Sequence, residues 1–362
     1  MAIGCTETKG AARGNVSVEK RTTVEWVNDQ PPAHHLNRTQ TLFTNPWDSW
    51  RAVNWHDWPK AITRDPSVPK DLATLLPTVK PDWGMARPEG AKATWLGCTR
   101  GWLVELPAPE GAARGPRILF DPVLSNRASP SQWAGPARLL PPPVVAEDIP
   151  EVDVLAFSHN HYDHMDCNTT TTTHINLHDW WEDSSVTVEL PAKDTDAPRV
   201  PASFTLACTP AQHTAGRTAF DRWQSLWPRR PPTRGARAEA DLLRGRHRLP
   251  DCHGGEKEKE RATCPVFAEI GNKFGRFDLA LLPIGAYKPR WMWSGLHGSP
   301  ADAVDIFKDV KAERALAMHW GTFKLTIEDI MEPPRLLKES CEKEGIPEGK
   351  FTTCKLGETT VV

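Results

Sequence analysis

A chain of 362 residues, 39% hydrophobic and with a net charge of −2, can bury a substantial core and has no basic excess, so global charge selects neither nucleic acid nor an anionic membrane. Its eight cysteines form no Cys-x-x-Cys pair and no apolar leader opens the sequence, which predicts a reduced intracellular protein, cytoplasmic or peripheral on a membrane, without disulfides. No run of roughly 18 apolar residues exists, so no transmembrane segment is expected.

Residues 1–40 are polar, aperiodic and interrupted by Gly4, Gly10, Gly14, Pro31 and Pro32, which predicts a disordered lead-in to one domain over 41–362. Trp47, Trp50, Trp55 and Trp58 come next. Packing of this arm onto the body is favoured over a rim that enters a bilayer, because no amphipathic basic helix accompanies them. Apolar and β-branched runs bounded by polar turns predict strands at 93–97, 102–106, 117–121, 152–157, 203–208, 277–283 and 314–318. Residues 228–262 break the pattern with interleaved Arg and Pro and then a Glu/Lys run; lacking aromatics to stack bases, they predict an irregular solvated insert and no nucleic-acid site. Helices are predicted over 265–273, from the Ser299 cap with Pro300 at its first position, and from Pro334 to the stop at Gly345. The alternation predicts an α/β fold of two packed mixed sheets flanked by helices.

The run from Ser158 to Asp166 reads Ser-His-Asn-His-Tyr-Asp-His-Met-Asp, directly after the apolar strand that ends at Phe157. In an extended segment, side chains at i and i+2 point the same way, so His159 and His161 can share one metal while the following turn sends Asp163 and His164 to another. A strand exit is also where active sites of layered α/β proteins collect.

The H-x-H-x-D-H pattern resembles the signature of the metallo-β-lactamase superfamily. Further words follow in the order seen in N-acyl-phosphatidylethanolamine-hydrolysing phospholipase D: Asn45-Pro46-Trp47, Thr94-Trp95-Leu96-Gly97, Phe120-Asp121-Pro122, Thr209-Pro210-Ala211-Gln212-His213, Pro283-Ile284-Gly285-Ala286-Tyr287 and Met318-His319-Trp320-Gly321. The resemblance covers about residues 40–350. It implies an αββα sandwich with His159, His161 and His213 on one zinc and Asp163, His164 and His319 on a second. Asp163 and His164 would thereby take part in catalysis. Two metals about 3.5–4 Å apart would activate water at neutral pH. Asp121 is a candidate to orient a ligand histidine, or else a simple turn former. Tyr287, Trp291 and Trp293 are candidates for an acyl groove, or for core. The implied reaction is hydrolysis of a phospholipid at a membrane surface, releasing N-acylethanolamine and phosphatidic acid; the rivals are a metal-dependent hydrolase of another ester and a non-catalytic lipid- or metal-binding remnant. The sequence does not set the oligomeric state.

The chain departs from the family in three places. Cys98-Thr99-Arg100 stands where the family has a His after Trp-Leu-Gly, which puts the usual support beneath the metals in doubt. The Thr-rich stretch between Asp166 and Asp179 is too short for the expected strand and helix. The family's bridging aspartate, in a Gly-Asp-Thr-Gly-Tyr word, is missing, and Asp241 and Asp251 are the only aspartates nearby. Codons for residues 245–250, read from their second base, can spell Gly-Asp-Thr-Gly-Tyr-Arg, so 228–255 is read as a frame-shifted catalytic segment. One or two zincs are therefore expected here.

Overall fold

The computed structural model describes residues 2–6, 16–22, 30–53, 55–57, 59, 65–87, 89–170, 172–218, 221, 223–226, 240–242 and 263–362. In chain order the elements are β1 (Ala2–Thr6), β2 (Val16–Lys20), α1 (Leu72–Leu75), β3 (Lys92–Trp95), β4 (Trp102–Glu105), β5 (Arg117–Phe120), β6 (Val154–Phe157), β7 (Thr172–Leu177), β8 (Asp183–Leu190), β9 (Val200–Ala207), β10 (Ala240–Leu242), α2 (Val266–Phe274), β11 (Phe277–Pro283), α3 (Arg290–Trp293), α4 (Pro300–Asp309), β12 (Ala312–Met318), α5 (Glu332–Lys343), β13 (Phe351–Thr352) and β14 (Thr359–Val361).

A mixed sheet runs β14-β3-β4-β5-β6-β1-β7, a parallel sheet runs β10-β11-β12-β13, and β2-β8-β9 form an antiparallel sheet. Alternation along the central strands explains why both faces of the large sheet are covered. Trp102, Val104, Ile118, Phe120, Val154 and Ala156 enter the main core, whereas Leu103, Leu119, Leu155 and Phe157 enter a second cluster on the opposite face. Residues of the two smaller sheets, including Val186, Phe204, Leu281 and Leu316, pack into the same main core. So do Phe267 and Ile270 of α2 and Val304 and Phe307 of α4, giving an α/β architecture. The expected box caps α4: Ser299 accepts from the Asp302 N–H, the Asp302 carboxylate accepts from the Ser299 N–H, and Pro300 opens the helix.

Two parallel pairs set the site. β5 and β6 run together with Phe120 opposite Ala156, so Asp121 and Ser158 emerge side by side. β11 and β12 run together with Pro283 opposite Met318, which brings Gly285 under His319. A Cβ on Gly285 would stand 2.1 Å from the His319 carbonyl oxygen, so only glycine fits there. Asp121 and His319 themselves hold positive φ values, 37° and 65°. Strained backbone of this kind is held in place by its surroundings and collects at functional sites.

Within the lead-in expected to be disordered over 1–40, the described residues 2–6, 16–22 and 30–40 are instead placed against the body. β1 inserts between β6 and β7, β2 pairs with β8, and His34 and His35 are buried. These strands carry no apolar run of their own; their pairing partners supply the order. The Thr-rich stretch does yield a strand, β7, and no helix among the described residues. Trp47 stacks on Trp180 and Trp50 packs edge-on against Trp223, as the packing reading requires. The Trp55 side chain and Trp58 lie outside the described residues, as does the 228–262 insert apart from 240–242, 263 onward being described again.

Candidate metal centre

Six side chains converge where β6, β9 and β12 end. His159 Nε2 lies 2.8 Å from His161 Nδ1 and 3.1 Å from His213 Nε2. Beside them, Asp163 Oδ2 lies 3.2 Å from His164 Nε2 and 3.5 Å from His319 Nε2. Each trio keeps all its donor atoms within 4.8 Å of one another. The rings of His159 and His164 are 4.1 Å apart between centroids, so the two trios adjoin. Burial pushes the Asp163 carboxyl up, but His164 and His319 beside it hold it well below its ordinary 3.8.

Asp121 is the hub beneath both trios. It is fully buried, and its Oδ1 accepts from the Ser158 N–H at 2.6 Å. Its Oδ2 takes the Ser158 hydroxyl and faces His164 Nδ1 at 2.9 Å. Ser158 Oγ in turn lies 2.9 Å from His159 Nδ1. With its hydroxyl proton committed to Asp121, Ser158 Oγ accepts from His159 Nδ1–H. Both His159 and His164 are thus held with the proton on Nδ1, and both Nε2 lone pairs face the trios. The relay acts as the orienting carboxylate of a metal site does.

The Cys-Thr-Arg word supplies support of a different kind from the family's histidine. Thr99 donates its hydroxyl to the Asp163 carbonyl oxygen, and Cys98 Sγ donates to the Val123 carbonyl at 2.9 Å. Arg100 is almost wholly buried, with Nη1 4.0 Å from Asp121 Oδ2 and no partner for Nε among the described residues. Burial lowers its guanidinium to about 10, against the pull of Asp121 and Asp163.

A cavity of about 610 Å³ opens over the trios; His161, Asp163, His164 and His213 reach its floor and Trp223, Trp293, Leu296 and Leu325 its walls. Of the three groove candidates only Trp293 borders it. Tyr287 is corrected: it is buried and donates its hydroxyl to Glu332, and that burial, with Glu332 beside it, pushes the phenol up. Trp291 is half-buried and away from the cavity. His297 was not foreseen. It borders the cavity with its ring 5.4 Å from that of His213 and 5.2 Å from that of His319. A lone His in a Leu-His-Gly loop carries no spacing signal. Of the two aspartates considered for a bridge, the Asp241 side chain and all of Asp251 lie outside the described residues.

A third cluster needs a different reading. His34 Nε2 and His35 Nε2 meet the two oxygens of Asp179 at 2.7 and 2.6 Å. A metal on Nε2 would force the His35 proton onto Nδ1, which is buried without an acceptor among the described residues. We read this cluster as a hydrogen-bonded clamp between the N-terminal arm and the body.

The fold and its paired donor groups are those of a metallo-β-lactamase-like protein, and the family model described as a beta-lactamase superfamily domain matches residues 116–320. The chain is 32% identical over 368 residues to N-acyl-phosphatidylethanolamine-hydrolyzing phospholipase D 1 of Caenorhabditis elegans, covering 92% of this chain and 95% of that one. It is 28% identical to the mitochondrial N-acyl-phosphatidylethanolamine-hydrolyzing phospholipase D of Saccharomyces cerevisiae, covering 75% of this chain and 57% of that one. An isothiocyanate hydrolase from Delia radicum gut bacteria is 16% identical, with a TM-score of 0.45 over 75% of this chain and 99% of that one. The chain belongs to the N-acyl-phosphatidylethanolamine-hydrolysing phospholipase D family of the metallo-β-lactamase superfamily. At the level of the family it is a metal-dependent hydrolase.

Proposed function

We propose that the chain is a zinc-dependent phosphodiesterase of phospholipase D type, cleaving N-acyl-phosphatidylethanolamine to N-acylethanolamine and phosphatidic acid. The observation that carries this reading is the opening of both trios onto one cavity with an apolar wall. Tetrahedral zinc bonded at about 2.0–2.1 Å needs ligand atoms about 3.3 Å apart. The separations of 2.8, 3.1, 3.2 and 3.5 Å bracket that value, so the residues present fit the metal. His159, His161 and His213 would hold one zinc, and Asp163, His164 and His319 the other. Bound there, zinc would supply Lewis acidity toward the phosphoryl oxygens and lower the pKa of water toward about 7.

The chain's own groups do the rest. Asp121 keeps the ligand tautomers through Ser158 and His164. His297, placed between His213 and His319, is positioned to give a proton to the departing ethanolamide oxygen. Trp223, Trp293 and Leu325 exclude water and accept acyl chain. No helix among the described residues is long and apolar enough to cross a membrane, so the phospholipid would be taken from a bilayer surface.

One observation favours a weaker enzyme or a metal- and lipid-binding remnant. Asp163 is the sole carboxylate in either trio among the described residues. Incubating the protein with N-acyl-phosphatidylethanolamine micelles and zinc, and quantifying both products by mass spectrometry, decides the matter. Formation of both products, lost in His161→Ala, supports the proposal. Bound zinc with no product formed rejects it.

A further inference from the structure

His213 stands on a loop between β9 and β10, outside any regular element. Its backbone is instead gripped by a side chain from the N-terminal arm. The Asn45 amide donates from Nδ2 to the His213 carbonyl oxygen at 2.7 Å, and its Oδ1 accepts from the His213 N–H at 3.1 Å. Both residues are buried. A primary amide offers one donor and one acceptor side by side, as a peptide strand does, so Asn45 acts on His213 as a one-residue strand.

The arm that carries Asn45 is itself pinned at several points. Phe43 N–H donates to the Trp223 carbonyl and Thr44 N–H to the His34 carbonyl, each at 2.8 Å. Trp47 stacks on Trp180, and His34 and His35 clamp onto Asp179. Ser49 donates to the Gln212 side chain, one residue before the ligand. A fixed arm therefore holds a loop-borne histidine. The loop needs such a support, because metal ligands must be placed within about 0.5 Å and loops alone place them poorly.

We propose that Asn45 is a positioning residue for the three-histidine trio, acting through its two bonds to the His213 backbone and not through the packing of the arm that carries it. The proposal rests on the zinc reading of that trio given above. Asn45 touches neither metal nor substrate in it; it sets where His213 Nε2 stands relative to His159 Nε2, now 3.1 Å away.

The test uses the full chain with zinc alone as the probe. Zinc affinity is measured by chelator competition, and thermal unfolding is recorded on the metal-free protein. Asn45→Asp keeps the shape and the acceptor for the His213 N–H, but sets a carboxylate oxygen against the His213 carbonyl. Asn45→Ala removes both bonds. Each should weaken zinc by about 10–100-fold, the usual effect of losing a group that orients a ligand. Ser49→Ala, a control on the same arm, should leave zinc affinity within about twofold. Should Asn45→Ala fail to fold, Asn45→Asp carries the test. The proposal is overturned if the wild type binds zinc and Asn45→Asp binds it as tightly. It is equally overturned if zinc affinity falls in Ser49→Ala as far as in Asn45→Asp, which would make the effect one of general arm packing. A wild type that binds no zinc overturns the zinc reading itself, and this proposal with it.

Discussion

Asp121→Asn is the substitution whose consequence the structure specifies most tightly. The Ser158 N–H needs an acceptor at the Oδ1 position, so the new amide must place its oxygen there and its NH2 group where Oδ2 stood. That NH2 then faces His164 Nδ1, the Ser158 hydroxyl and Arg100. As a donor it turns His164 Nδ1 into an acceptor, which moves the ring proton onto Nε2. It also donates to Ser158 Oγ, freeing the Ser158 proton for His159 Nδ1 and moving that ring's proton onto Nε2 as well. Both Nε2 atoms lose the lone pair that faces the trios. Zinc affinity should fall by about 10–100-fold in each trio. Stability should fall too, because Arg100 keeps its charge in the interior without its nearest counter-charge. Breaking a buried pair in direct contact costs about 3–5 kcal/mol, and at 4.0 Å the lower end applies, about 3 kcal/mol. The assay pairs zinc titration with thermal unfolding of metal-free protein. Unchanged zinc affinity in a folded Asp121→Asn protein would refute the tautomer relay, whatever the change in melting temperature.

Elemental analysis of the purified chain should give closer to one zinc than two, with His161→Ala abolishing it; two tight equivalents would show that a carboxylate outside the described residues completes the pair. Arg100→Met should strengthen binding of a second zinc by about tenfold or more, since a buried cation beneath the Asp163 trio opposes another; no change in a zinc titration would remove Arg100 from the account. For Asp179, burial raises the carboxyl but His34 and His35 hold it below its ordinary 3.8. A carboxylate depressed on folding contributes stability above its unfolded value and loses it as pH falls through the folded one. The melting-temperature gap between wild type and Asp179→Asn should therefore be full above about pH 4 and close below it, and a gap independent of pH would contradict the clamp. Replacing residues 245–250 by Gly-Asp-Thr-Gly-Tyr-Arg within a re-framed 228–255 segment should raise zinc to two per chain and hydrolysis by at least about 100-fold; an unaltered chain that is already as fast would end the frame-shift idea.

The central strands were legible because each is a short apolar run closed by a turn, and candidate ligands could be sought at their exits. His159, His161, Asp163 and His164 share one such exit. His213 and His319 came through the family pattern, since 54 and 160 residues separate them from His159 and no local rule links them. β8 was not among the predicted strands, although Val186, Val188 and Leu190 alternate with polar residues along it and are buried in the structure. β1 and β2 were not legible, because their order comes from strands far along the chain. The arm was misjudged for the same reason: the partner of His34 lies 145 positions away at Asp179, and that of Asn45 lies 168 away at His213. Tyr287 looked like a groove residue among aromatic neighbours, and only its bond to Glu332 shows that it faces inward.

Charge explains why support beneath the trios bears on how many metals they could hold. Two dications about 4 Å apart repel by roughly 17 kcal/mol even at an effective dielectric near 20, so anions between them decide whether the second stays. The histidine trio contributes no negative charge and the other trio contributes Asp163 alone. Asp121 lies beneath, but Arg100 stands 4.0 Å from it and offsets its field. Arg100 is buried there and its guanidinium remains charged at neutral pH, its pKa lowered to about 10 by burial. A first zinc would meet imidazoles oriented by Ser158 and, on the proposal above, by Asn45, and a second would have to enter against both that zinc and Arg100. Tight first binding with weak second binding is then the electrostatic expectation from the residues in place, and a bridging carboxylate is the group whose arrival would change it.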